Sequence, residues 1–349
     1  PGTGGTILVL DMPDRASPPH FVRLQDLDDR QVEDVLDLSA RVKRGVTRGA
    51  LTGRSVGLLF FRPSLRTRSS FEVALNQLGG HAVNLNAATD FWELESRRGT
   101  VMDGAAPEHV TDAAAVLSSY FDALAIRPAL GGKSWEIDRR DQSITTWESH
   151  ARVPVINMES ALWHPLQALA DMMTLRENLG ELKGKRLAIT WTRSPSPSSP
   201  ACVHSILLSA LRSGMNVSLA HPPGFDLDGA VMDEARTNAE ECGGSLEQTS
   251  DMDDSIKGAH VVYARSWWSL EAYGNPTLTA SRVARETGWT VDERRMALGK
   301  RAQLMHPMPV RRNLEVTDEV LDGPRCLAIQ QAENRLHTQK GLLSLLLRS

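Results

Sequence analysis

The stretch Ser64-Leu65-Arg66-Thr67-Arg68 places two guanidinium groups and two hydroxyls within five residues. It follows an apolar run, 56–61, that reads as a buried strand. It leads into 71–78, which reads as a helix. A helix N-terminus presents free backbone N–H groups and the positive end of the helix dipole. Hydroxyls add neutral hydrogen bonds, and arginines add planar forks that suit phosphate. Strand, turn and helix together predict an anion site. Capping alone would account for Ser64 or Thr67, but not for two arginines in one turn.

Other reactive groups fall where further strands are expected to end. These are Arg127, Glu159 with His164 and Gln167 beyond it, Arg265, and His306. Ligands of open parallel sheets bind at the carboxyl ends of strands. Each residue also has an ordinary reading: His164 as a structural residue at a helix start, Arg127 as an ion-pair partner. Taken together with the arginine turn, they suit a small anion that carries a carbonyl.

The elements that must position these groups alternate. Helical periodicity covers 27–38, 71–78, 110–120, 168–179, 203–213 and 333–347. Strands are expected at 56–61, 81–85, 123–127, 153–159, 185–192, 216–221, 258–265 and 302–306. Gly79-Gly80 ends one helix, 88–104 reads as an irregular loop holding Phe91 and Trp92, and 193–200 is rich in proline and serine. Gly180 to Gly184 looks like the junction between halves. The alternation predicts an α/β fold: two Rossmann-like parallel domains joined by interdomain helices.

Composition narrows the function. A length of 349 residues suits two domains. A net charge of −4 argues against a dedicated nucleic-acid surface. Cys202, Cys242 and Cys326 are widely spaced, with neither a metal pattern nor a disulfide framework, so a reducing cytoplasm is expected. No apolar run approaches a membrane span, and residues 1–10 read as a loose extension rather than a signal peptide. No Gly-x-Gly-x-x-Gly follows a strand and no Gly-Lys-Ser/Thr loop is present, which removes support for dinucleotides and nucleoside triphosphates.

Ser64-Leu65-Arg66-Thr67-Arg68, His164-Pro165-Leu166-Gln167 and His306-x-x-Pro309 together resemble the aspartate/ornithine carbamoyltransferase family. Segments 99–104, 157–159, 262–267, 311–313 and 332–335 look like the branch acting on N-acetyl- or N-succinyl-L-ornithine. The resemblance runs from about Leu51 to Lys340. It implies an extension (1–20), a carbamoyl phosphate domain (21–165), an amine-acceptor domain (166–325) and a C-terminal helix (326–349) returning to the first domain.

It also implies roles. Ser64, Leu65, Arg66 and Thr67 would hold the phosphate of carbamoyl phosphate, and Arg127, His164 and Gln167 its carbamoyl end. Catalysis would rest on Arg66, Thr67, Arg127, His164 and Gln167, with Arg335 adding charge and Pro307 and Met308 lying against the same substrate. Trp92 would sit in a loop that enters a neighbouring subunit's site, giving a homotrimer with shared active sites. Pro107, Glu159, Arg265, His306 and Arg311 would face the amine acceptor. No metal or organic cofactor is implied, and neither nucleic acid nor membrane is an expected partner.

Four positions depart from the family pattern. Pro307 stands where a cysteine is usual, keeping the carbonyl but losing the thiol and N–H. Ser194-Pro195 replaces a His-Pro, and Arg265 replaces a lysine. Pro107 replaces the glutamate of acetylornithine enzymes and matches succinylornithine enzymes, as does the spacing from Glu159 to His164. A carboxylate at 107 would repel a succinyl tail. Glu315 reads either as a charge near the acyl group or as a surface carboxylate in a first helical turn. Two alternatives stay open: a carbamoyltransferase of specialised metabolism with another amine, and a non-catalytic carbamoyl-phosphate-binding homologue.

Overall fold

The computed structural model describes residues 20–45 and 49–347. The extension expected over the first residues therefore lies almost wholly outside the described residues. Twelve strands occur among those described: β1 (His20–Phe21), β2 (Ser55–Phe60), β3 (His81–Asn86), β4 (Leu94–Glu95), β5 (Glu108–His109), β6 (Ala123–Arg127), β7 (Val155–Asn157), β8 (Arg186–Trp191), β9 (Asn216–Ala220), β10 (Ser245–Thr249), β11 (Val261–Arg265) and β12 (Gln303–Met305).

The chain divides into two compact units. One comprises the described residues up to Ala129, Gln142–Ser160 and the residues from Arg335 onward; the other comprises Leu130–Asp141 and Ala161–Asn334. The change of unit thus falls at Ser160/Ala161, ahead of the Gly180–Gly184 junction expected from the sequence, and 130–141 belongs with the second unit.

The first unit holds a five-stranded sheet in the order β1-β7-β6-β2-β3, all parallel. β2 and β6 are almost continuously apolar because both faces are covered, as parallel sheets require. Leu59, Leu124 and Ile126 pack with Ala114, Ile144 and Trp147. Gly57 is needed inside β2, since a Cβ there would meet the Phe121 ring at 2.8 Å. The second unit holds β10-β9-β8-β11-β12, also all parallel.

Both sheets reverse their strand order once, between β2 and β6 in the first and between β8 and β11 in the second. Such switch points open a crevice at the carboxyl ends of the strands. In the first unit the crevice is reached from Phe61–Arg66 and Arg127, in the second from Thr192–Arg193 and Arg265.

Several expected boundaries shift. The helix after β2 spans Arg66–Leu78, so Arg66 and Thr67 lie in its first turn and not in a preceding loop. Polar residues carry no apolar stripe, which is why the periodicity shows only from Phe71. Helices at Trp135–Asp138, Gln142–His150, Gly229–Cys242 and Pro276–Arg285, and strand β10, occur in addition to the elements expected from the sequence. The last helix is longer than expected, Ala328–Leu346.

Candidate active site

In the first unit, the helix Arg66–Leu78 starts at an N-cap Leu65 with no side-chain cap. A leucine side chain offers no acceptor to the first N–H groups of the helix. Thr67 is buried, and its Oγ1 accepts a 2.7 Å hydrogen bond from Nη2 of buried Arg335. The last helix thus brings a guanidinium to the arginine turn across 268 positions of sequence.

Arg127 ends β6 and forms a 2.5 Å ion pair with Oε2 of Glu159 just beyond β7. The ordinary reading of Arg127, an ion-pair partner, therefore holds in this structure alongside its place at a strand end. Glu159 adopts φ 151°, in the region that favours glycine. Its backbone is fixed from both sides: its N–H donates to Asn157 Oδ1 at 3.0 Å, and its carbonyl accepts from Arg62 Nη2 at 2.6 Å. Arg62 Nε also donates to the Pro128 carbonyl at 2.9 Å, so one side chain joins the ends of β6 and β7. Trp92 is 66% exposed, and Leu65 and Pro107 are exposed as well.

In the second unit, His164 is the N-cap of the helix Pro165–Leu179, with proline at its first position. Its backbone N–H donates to Ser205 Oγ at 2.9 Å. Gln167 is buried one turn in and donates from Nε2 to Asp171 Oδ1 at 2.8 Å.

Arg265 ends β11. Its Nη1 donates to the Pro307 carbonyl at 2.6 Å and to the Pro309 carbonyl at 3.4 Å, and its Nη2 to Ser198 Oγ at 2.8 Å. The Pro307 carbonyl, kept where a cysteine is usual, thus already accepts from Arg265. Met308 beside it is half-buried.

Glu315 requires a correction. It is neither on the surface nor in a helical turn: it is 5% exposed, in a turn before the helix Asp318–Leu321. Its Oε2 lies 2.9 Å from His306 Nε2 and accepts from the Arg311 N–H at 3.2 Å. His306 Nδ1 lies 3.0 Å from the Pro307 carbonyl. Burial pushes the His306 ring below the ordinary histidine range, against the pull of Glu315. Burial, the largest single influence, would raise Glu315, but the His306 hydrogen bond and charge, the Arg311 N–H and the Arg265 charge together hold the carboxyl below its usual range. Both ring nitrogens of His306 thus lie against oxygen acceptors, Glu315 Oε2 and the Pro307 carbonyl. Arg311 is exposed and donates from Nε to Ser194 Oγ at 3.1 Å, joining two of the unusual segments.

The first unit thus brings together Thr67 with Arg335, and Arg127 with Glu159. The second brings together Arg265, His306, Pro307 and Arg311, adding Glu315 and Ser194. Sequence reasoning missed Glu315 as a partner of His306, Arg62 as a clamp, and Asp171 as the anchor of Gln167. Asp171 was legible only as a carboxylate four residues after Gln167, one helical turn on. Among the described residues, no group of three or more His, Cys, Asp or Glu could hold a metal ion, and no helix is long and apolar enough to cross a membrane.

Two parallel sheets with arginines and hydroxyls at their switch points suit an enzyme that holds a small anionic substrate. A family model described as the carbamoyl-P binding domain of aspartate/ornithine carbamoyltransferase matches residues 19–177, and the Asp/Orn binding domain model matches 198–346. The chain belongs to the aspartate/ornithine carbamoyltransferase family and is a carbamoyltransferase. It is 42% identical to the N-acetylornithine carbamoyltransferase of Xanthomonas campestris pv. campestris over 330 residues, 94% of this chain and 97% of the relative.

Its fold is similar to a crystal structure of acetylornithine transcarbamylase complexed with acetylcitrulline, with TM-score 0.92 and 42% identity over 95% of this chain and 99% of that one. It is also similar to a glutamate-to-proline mutant of N-acetyl-L-ornithine transcarbamylase complexed with carbamyl phosphate and N-succinyl-L-norvaline, with TM-score 0.91 and 42% identity over 94% of this chain and 99% of that one.

Proposed function

We propose that this carbamoyltransferase moves the carbamoyl group of carbamoyl phosphate to the δ-amine of an N2-acyl-L-ornithine, succinyl favoured over acetyl. The products are an N-acylcitrulline and phosphate. The observation that carries the donor half is the Thr67–Arg335 contact at an uncapped helix N-terminus. It gathers hydroxyl, guanidinium and helix-terminal N–H groups where a phosphate would fit.

In this reading Ser64, Leu65, Arg66, Thr67 and Arg335 hold the phosphate, and Arg127, His164 and Gln167 hold the carbamoyl group. The neutral amine attacks the carbamoyl carbon, and negative charge grows on the carbonyl oxygen. Fixed donors from Arg66, Thr67, Arg127 and His164 lower that barrier. The C–O bond to phosphate then breaks, and the amine's proton leaves with phosphate. Pro307 and Met308 border the donor; Glu159, Arg265, His306 and Arg311 serve the acceptor.

Pro107 supports the succinyl preference. A proline removes the negative charge that a glutamate would set against a second carboxylate. The mutant neighbour that carries proline for glutamate was crystallised with N-succinyl-L-norvaline, which agrees with that preference. The expected homotrimer, with Trp92 entering a neighbouring subunit, and a cytoplasmic setting belong to the same proposal. Domain limits of 21–165 for the donor and 166–325 for the acceptor, with 326–349 returning to the first, complete it.

The test supplies carbamoyl phosphate with N-succinylornithine, N-acetylornithine or ornithine and measures ureido product. Turnover highest with succinylornithine is expected. Higher turnover of acetylornithine overturns the acyl preference. A second reading, another amine in specialised metabolism, is favoured by the engagement of Arg265 with Pro307 and Ser198; turnover of none of the three but of another amine would support it. Carbamoyl phosphate binding with no turnover of any amine would indicate a non-catalytic homologue.

A further inference from the structure

Asp171 is fully buried in the helix Pro165–Leu179 and accepts hydrogen bonds from Gln167, Gln331 and Tyr263. Its Oδ1 accepts from Gln167 Nε2 at 2.8 Å and from Gln331 Nε2 at 2.6 Å, and its Oδ2 accepts from the Tyr263 hydroxyl at 2.8 Å. Gln331 is itself fixed at its other end, since its Oε1 accepts the His306 N–H at 2.9 Å. All of these groups lie in the second unit. The family reading gives Asp171 no part in the chemistry, yet it joins the two expected site segments around Gln167 and His306.

We propose that Asp171 is a positioning residue that fixes the orientation of the Gln167 amide and thereby makes the site select an NH2-bearing acyl phosphate. A carboxylate only accepts hydrogen bonds, so the Gln167 NH2 must face it. Reversing the amide would set two oxygens against each other in a buried site, where an unsatisfied polar contact is most costly. Gln167 Oε1 is then directed away from Asp171 as an acceptor. An acceptor matches the NH2 of carbamoyl phosphate and has nothing to receive from the methyl of acetyl phosphate, which is nearly the same size. This inference rests on the proposed placement of Gln167 against the carbamoyl group. The same side chain holds Gln331 toward the backbone of the His306 turn, so one group sets both segments.

The test is the ratio of dissociation constants for carbamoyl phosphate and acetyl phosphate, measured by calorimetry on the full chain. The wild type is expected to favour carbamoyl phosphate by about tenfold or more, the size of one hydrogen bond gained against one lost. In Asp171→Leu no acceptor faces the Gln167 NH2, Gln167 can turn, and the ratio should fall toward one. Tyr263→Phe removes a donor from the other oxygen and leaves both amides in place; its ratio should match the wild type. A preserved ratio in a folded Asp171→Leu protein overturns the proposal, as does an equal fall in Tyr263→Phe, which would mark general loosening. If Asp171→Leu does not fold, the wild-type ratio still decides: equal affinity for the two acyl phosphates overturns the inference. A wild type that binds neither ligand overturns the proposed function first, and this inference falls with it.

Discussion

Two arginines end the strands at the two switch points, and they are held differently. Arg127 at the end of β6 is paired with a carboxylate, Glu159, whose own backbone is clamped by Asn157 and Arg62. Arg265 at the end of β11 donates to two proline carbonyls and a serine hydroxyl, all neutral. A guanidinium bonded to a carboxylate has its charge balanced and its direction set. One bonded to neutral oxygens keeps its net charge for a further anion. In the proposed reading, the same position in two sheets serves two tasks: pointing a donor at a neutral carbonyl, and holding charge for a carboxylate.

The strongest way to break this comparison is Arg127→Ala. Loss of one fixed donor to a developing oxyanion costs about 10²–10³ in kcat/KM. The change also leaves buried Glu159 without that guanidinium. A fall of less than about tenfold in steady-state assays would show that Arg127 is only an ion-pair partner.

A pH experiment sharpens the contrast on the stability side, because the second unit buries a histidine in its neutral form. His204 Nδ1 lies 3.2 Å from the Leu162 carbonyl, and its Nε2 accepts the Asp228 N–H at 3.4 Å. Burial lowers its pKa from 6.5 to about 4. Because the folded value is depressed, the unfolded chain takes up the proton first. Stability is therefore full above pH 6.5 and falls by about 3 kcal/mol as pH drops from 6.5 to 4. Asp228 has the opposite chemistry. Burial would raise it, but the Arg139 fork and the Trp135 indole N–H hold it down to about 2, so its contribution is lost only below its ordinary 3.8. Urea midpoints should fall between pH 7 and pH 5, and by less in His204→Gln. An unchanged slope in that variant would remove His204 as the cause.

Gly341→Ala probes the first unit. Alanine is normally about 1 kcal/mol better than glycine inside a helix. Here the new Cβ would meet the Val35 carbonyl oxygen at 2.7 Å and Ser39 Oγ at 2.4 Å. Backbone cannot yield as a side-chain tip can, so overpacking should win, with a net loss of about 1–3 kcal/mol read as a lower Tm. A raised Tm would show that the helix Ala328–Leu346 is not seated tightly against Asp29–Arg44.

The smallest effect is expected from Arg265→Lys. The charge stays, but the fork that spans Pro307 and Ser198 is lost. KM for the acyl-ornithine should rise by about tenfold, with KM for carbamoyl phosphate unchanged. Equal rises in both would erase the distinction between the two arginines.

Much of the scaffold is legible in the sequence where apolar periodicity is strong. The helix 110–120 and the strand 123–127 stand where the pattern puts them. The arginine turn is legible because two guanidiniums beside a helix start have few other uses. What the pattern hides is pairing at a distance. Arg335 finds Thr67 across most of the chain, and nothing local announces it. Glu315 looks like any carboxylate before a short helix, because burial is decided by the His306 turn against which it folds. Asp171 sits in a helix buried along most of its length, and its polarity makes sense only once Tyr263 and Gln331 arrive from other elements.

The order of segments along the chain has a consequence for synthesis. The second unit is complete in sequence once Asn334 has been made, whereas the first still lacks Arg335 and the helix that carries it. Domains tend to fold as units while the chain emerges, N-terminal first. Here the earliest-made unit is the last to be completed. A nascent or truncated chain can form β2 and the start of the helix after it, yet it has no guanidinium to set against Thr67. The Thr67–Arg335 contact can form only after residue 335 has been made.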